Sequence, residues 1–202
     1  MEGDSVTLHT NITDIQRDDL IVWMFGSQET RIAHIFKKST YKDDSNEIFG
    51  DRLKLDSQTG SLIITNITTT NSGIYKLTII SNRGTSYKRF NVTVYAPLPV
   101  PVIIRDSCSS SSSSSSNCSL LCSGLNMRDV SLSWYKGNSL LSRISVSDLN
   151  IRLSLPLEVE YHDNNTYSCV VNNPITNQTQ YLNITHLCQM CSGMLTVLLF
   201  LY

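Results

Sequence analysis

Cys122, then Ser131-Leu-Ser-Trp-Tyr-Lys136, then Tyr167-Ser168-Cys169: these three stretches decide the fold of the second half of the chain. They give a cysteine on one strand, a tryptophan on the next, and a Tyr-x-Cys on a third. The first half repeats the constellation without cysteines. It has Thr10 closing Ser5-Val-Thr-Leu-His-Thr10, Trp23 within Ile21-Val-Trp-Met-Phe25, and Tyr75-Lys76-Leu77.

A strand-B cysteine, a strand-C tryptophan and a strand-F Tyr-x-Cys mark an immunoglobulin sandwich. The expected fold class is all-β, with two immunoglobulin-like β-sandwiches in tandem. The 202 residues fit two such domains, which run to about 100 residues each. Thr10 and Leu77 lie 67 residues apart, which leaves room for strands C′ and C″ and predicts a variable-type first domain of nine strands. Cys122 and Cys169 lie only 47 residues apart, so the extra strands should not fit and the second domain reads as constant-type.

Strand C reads as Leu20–Phe25 with Ile21 and Trp23 on the core face, and C′ as Arg31–Lys38. The charged stretch Lys37–Asp44 suits C″ and its turns. Strands D, E and G are expected over Arg52–Asp56, Ser61–Thr65 and Tyr87–Tyr95, with F entered through Asn71-Ser-Gly-Ile-Tyr75. The domains fall at 1–96 and 102–190, the second carrying a serine-rich insertion over Ser109–Ser116 that reads as a slack loop. Residues 97–101 form a linker, and the prolines of Ala96-Pro-Leu-Pro-Val-Pro101 favour a stiff, extended connection.

All six cysteines lie in the second half. Cys122 and Cys169 should bridge strands B and F beneath Trp134. Cys118 shares a strand face with Cys122 and needs a distant partner, for which Cys188 and Cys191 are the candidates. The favoured arrangement is Cys118–Cys188 with Cys108–Cys191, among the several connectivities that six cysteines allow.

Asn-x-Ser/Thr occurs at Asn11, Asn66, Asn91, Asn117, Asn164, Asn177 and Asn183. Seven such sites predict an exported, disulfide-bonded glycoprotein on the extracellular side of the plasma membrane. Met1–Val6 has no apolar signal core, so a signal peptide is expected only in a precursor. Residues 191–202 read as a membrane-proximal or transmembrane beginning. Met194–Tyr202 is apolar but too short for a span of about 20 residues. It fits the start of a transmembrane helix, part of a lipid-anchor signal, or the end of a soluble isoform.

In the first domain Leu77 is expected to fill the space beside Trp23, and Tyr75 to form the tyrosine corner by tying its hydroxyl to nearby backbone. Asn71 stands where many variable domains have Asp, so its contact to Arg52 should be a hydrogen bond. Asp163 keeps the acid in the second domain. Function is expected on the exposed face of strands G, F, C and C′. Its candidate residues are Val22, Met24, Lys76, Thr78, Tyr87 and Arg89, with Lys37 and Lys38 on the rim. A face mixing apolar, aromatic and charged groups suits partner recognition with electrostatic selection.

A net charge of −1 gives no electrostatic case for nucleic acid. His9, His34, His162 and His186 are scattered without ligand spacing, the nine glycines form no phosphate loop, and no Gly-x-Ser-x-Gly elbow occurs. No enzyme, metal site or cofactor is therefore expected.

Thr10…Trp23…Asn71-Ser-Gly-Ile-Tyr-Lys-Leu77 and Asn117-Cys-Ser-Leu-Leu-Cys122…Trp134…Tyr167-Ser-Cys169…Leu187-Cys188 together resemble the signalling lymphocytic activation molecule (SLAM) family, over nearly the whole chain. The serine run and Cys108/Cys191 depart from the usual mammalian pattern and look more like fish members. The resemblance implies a leukocyte adhesion or co-stimulatory receptor. Its partner would be an immunoglobulin-superfamily protein on an apposed cell, bound homophilically or heterophilically through the G-F-C-C′ sheet. The competing expectation is a secreted or lipid-anchored decoy or adhesion module without signalling. A third is a receptor that uses the loops at the domain tip.

Overall fold

The computed structural model describes residues 1–43, 47–109, 117–160 and 162–188. The chain divides into two compact units at Pro97/Leu98.

In the first unit a sheet of three short strands, β1 (Val6–Leu8), β5 (Leu53–Leu55) and β6 (Leu62–Ile64), runs in the order β1-β6-β5. The opposing sheet contains β2 (Leu20–Phe25), β3 (Thr30–Phe36), β4 (Ser39–Lys42), β7 (Gly73–Ser81) and β8 (Gly84–Val92), in the order β4-β3-β2-β7-β8. All pairings are antiparallel. In immunoglobulin letters β2, β3, β7 and β8 are strands C, C′, F and G, and β4 is C″. Among the described residues this unit has eight strands rather than nine, because residues 1–5 pair only through isolated bonds such as Glu2 N–H to Tyr95 O.

The expected C strand is observed residue for residue, and Ile21 and Trp23 are fully buried. Strands D and E are each one residue shorter at either end than expected, and strands C′ and G differ more, G ending at Val92 rather than Tyr95. C′ ends at Phe36, because Lys37 and Lys38 both have positive φ (51° and 63°) and form the two-residue turn into β4. Positive φ at both central residues matches the twist of the flanking strands, the reason such turns close hairpins. Strand G begins at Gly84, since a two-residue turn at Asn82-Arg83 extends the β7–β8 hairpin.

Leu77 lies directly opposite Trp23 on the neighbouring strand and is fully buried. Phe90 packs 5.5 Å from the indole on its other side. The indole N–H donates to Gly60 O at 2.9 Å, and the adjacent carbonyl, Thr59 O, accepts the Thr10 hydroxyl at 2.6 Å. A Cβ on Gly60 would stand 2.6 Å from Ile21 Cδ1, at φ +72°, so only glycine allows this approach. Apolar bulk and two hydrogen bonds thus occupy the region where a bridge would sit. The Tyr75 corner forms as expected, its hydroxyl donating to Asn71 O at 2.7 Å. Burial pushes the phenol well above its usual value.

In the second unit β9 (Val102–Ser109), β10 (Asn117–Met127) and β13 (Asn150–Glu160) form one sheet in the order β13-β10-β9. The other, β12-β11-β14-β15, comprises β11 (Val130–Lys136), β12 (Ser139–Val146), β14 (Tyr167–Asn172) and β15 (Asn177–Tyr181). One extra strand does fit between the bridge cysteines. A tight turn at Gly137 (φ 56°) folds β12 back onto β11 as a C′ strand. A short helix, α1 (Ile184–Cys188), follows.

Both described bridges agree with the favoured pairing: Cys122–Cys169 beside the buried Trp134, and Cys118–Cys188 tying β10 to α1. The Cys108–Cys191 pairing, most of the serine run and residues 191–202 lie outside the described residues. No helix among the described residues is long and apolar enough to cross a membrane.

Candidate functional site

The five-stranded sheet of the first unit turns one face to solvent, and its register arranges that face in rows. The central row runs Tyr41, His34, Val22, Thr78, Tyr87. His34 and Tyr41 stack at 4.8 Å with 13° between ring planes. Partial burial, reinforced by nearby Arg31, holds His34 below its usual pKa, so the ring is neutral at pH 7. Tyr87 is 66% exposed at the far end. Thr78, between them, is buried, and its hydroxyl has no hydrogen-bond partner. The sequence expectation of an exposed Thr78 is corrected on this point, because flanking side chains on a twisted sheet cover a short residue at the centre.

The row on one side reads Phe36, Leu20, Ile80, Thr85 and is apolar at its core, with Phe36 and Ile80 more than 40% exposed. The row on the other side reads Arg31, Met24, Lys76, Arg89 and is cationic. Glu29, in the turn between β2 and β3, reaches across this row. Its carboxylate contacts Lys76 Nζ at 2.5 Å and Arg89 at 3.5 Å. The hydrogen bond from Lys76, with Arg89 adding, holds Glu29 below its ordinary pKa. Lys76 also lies over the Tyr87 ring, 5.3 Å from its centre. A depression lined by Lys76, Tyr87, Lys88 and Arg89 opens beside it.

The structure therefore brings Val22, Met24, Lys76, Thr78, Tyr87 and Arg89 together on one face. Lys37 and Lys38 do not join it as strand residues. Lys37 lies 5.2 Å from the Phe36 ring, whereas Lys38 points to Asp14, 3.8 Å away in the loop before β2. Glu29 was not expected. No strand periodicity reaches a turn residue, and its partners are 47 and 60 positions away. Asp19, in the loop before β2, is buried and accepts the Gln16 N–H. The seven sequon asparagines are all exposed, and Asn91 lies beyond Arg89 on the same face of β8.

Residues 1–95 match the family model described as immunoglobulin V-set domain, and residues 101–186 match that described as immunoglobulin domain. The chain is two immunoglobulin domains in tandem. Such domains are binding modules, not enzymes. Solved structures agree with the fold. Bovine butyrophilin superposes with TM-score 0.66 at 11% identity, covering 90% of this chain and 91% of that one. Murine CEACAM1b gives 0.61 at 18%, covering 88% and 89%. The CD2-binding domain of CD58 (lymphocyte function-associated antigen 3) gives 0.59 at 20%, covering 90% and 93%. A sequence search of the curated proteins found no match.

Proposed function

We propose that this chain is a leukocyte cell-surface receptor of the SLAM type. It binds an immunoglobulin-superfamily partner on an apposed cell through the G-F-C-C′ face of its V-set domain. The observation that carries the reading is the arrangement of that face. An exposed tyrosine and an apolar row stand beside a cationic row organised by Glu29. Buried aromatic and aliphatic anchors supply affinity in protein interfaces, and flanking charges select the partner.

Three further observations support it. The V-set domain is unbridged while the second domain carries Cys118–Cys188 in addition to Cys122–Cys169. This is the pattern on which the resemblance rests. The structural neighbours include a domain named for binding CD2. Exposed sequons fit an extracellular glycoprotein. Membrane attachment would be through a segment following the second domain.

The test is adhesion of cells displaying the whole chain to cells displaying a panel of immunoglobulin-superfamily proteins. Arg89→Glu breaks the Glu29 contact and reverses the rim charge, and should reduce binding by about tenfold or more, the scale of a lost interfacial charge contact. Asp18→Lys, in the exposed loop before β2, should leave it unchanged. If Asp18→Lys abolishes binding and Arg89→Glu does not, the tip loops are the site and the face assignment is wrong.

A further inference from the structure

The outward face of the β12-β11-β14-β15 sheet in the second domain is a concave polar groove of about 640 Å³. Its floor is made of small side chains. The serines at 133 and 168 both have little exposure although they point away from the core. Ser133 is only 1% exposed, lines the groove, and its hydroxyl has no hydrogen-bond partner. At one end Tyr135 and Tyr181 flank Ser168 in a single register row, two strand spacings or about 10 Å apart. At the other end of β15 stands Asn177, which also lines the groove and begins the sequon Asn177-Gln178-Thr179.

We infer that this groove is a carbohydrate-binding surface, and that its occupant is the chain's own N-linked glycan on Asn177. The inference rests on reading the chain as an exported glycoprotein. The chemistry of the groove matches a sugar better than a protein. Aromatic rings offer apolar faces for the C–H side of a pyranose, while serine hydroxyls and the exposed guanidinium of Arg143 offer donors and acceptors for its hydroxyl groups. The volume lies in the range of small-ligand clefts. Asn177 fixes the attachment point at the groove's own rim, so the inner sugars meet Ser133 and the tyrosines at high effective concentration. The other sequon asparagine nearby, Asn183, is placed differently. It caps α1, with Oδ1 accepting the His186 N–H, and does not line the groove.

The experiment uses the full chain secreted from glycosylating cells, with occupancy and release at each sequon followed by glycopeptide mass spectrometry. Under native conditions a peptide N-glycosidase should release the Asn177 glycan several-fold more slowly than those on Asn91 and Asn183. Tyr181→Ala, at a largely exposed position, should bring release at Asn177 up to the rate of the others. Ser133→Ala should do so in part. An Asn177 glycan released in the wild type as fast as its neighbours overturns the groove, as does an empty Asn177 with the other sequons filled. Absence of glycan at every sequon overturns the extracellular reading as well.

Discussion

The two domains solve the same corner with different chemistry. In the first, the Tyr75 hydroxyl donates to the backbone carbonyl of Asn71. The Asn71 side chain accepts from Arg52, at 3.0 Å, and from Thr68, while its amide donates to Ile48 O at 3.2 Å. In the second, the Tyr167 hydroxyl donates to the Asp163 carboxylate itself at 2.8 Å, and that carboxylate also pairs with Lys136 at 3.2 Å. An amide can give and receive, and Asn71 does both, while Arg52 also donates to the same Ile48 carbonyl. The same division recurs at the core, where one domain is held by a covalent bridge and the other by Leu77, Phe90 and two hydrogen bonds around Trp23.

The largest test of this contrast removes the bridge. Cys122→Ala with Cys169→Ala should cost the second domain about 4 kcal/mol by loop entropy and leave the first unchanged. Denaturant titration read by hydrogen exchange in each domain checks it. Equal loss in both would mean that the two do not unfold separately. Leu77→Ala should cost the first domain about 3 kcal/mol, within the range for a buried leucine, with no change at β14. The same measurement reads it.

The smallest effect is a difference in pH response. The Asn165 backbone N–H, followed by the Tyr167 hydroxyl, holds Asp163 far below its usual pKa. A depressed folded value means that its contribution is complete above the unfolded value, about 4, and is lost as pH falls through the folded one. The Tyr167 corner should therefore loosen in acid, whereas the Tyr75 hydroxyl meets a backbone carbonyl, which does not titrate. Asp163→Asn should remove the slope from amide exchange at β14 between about pH 5 and 2, and persistence of the slope would assign it elsewhere.

The strands were legible where a residue faces one side of a sheet for several positions. Leu20–Phe25 and the roles of Trp23, Leu77 and Tyr75 follow from that alternation. The bridge pairing could be narrowed because Cys118 and Cys122 share a strand face. What escaped depends on contacts through space. Glu29 acts from a turn, Thr78 is buried at the centre of the face, and Asn71 reaches the Ile48 carbonyl 23 positions away. Lys37 and Lys38 gave no turn signal, because lysine rarely adopts the positive φ found there.

The bridge between Cys118 and Cys188 encloses the one between Cys122 and Cys169. It has a mechanical consequence for a chain pulled from its two ends. Tension applied along the backbone passes through the outer sulfur link. The 70 residues it spans, roughly 240 Å of contour at about 3.4 Å each, cannot be drawn out. The first domain has no such short circuit among its residues, so under load it is the part that lengthens.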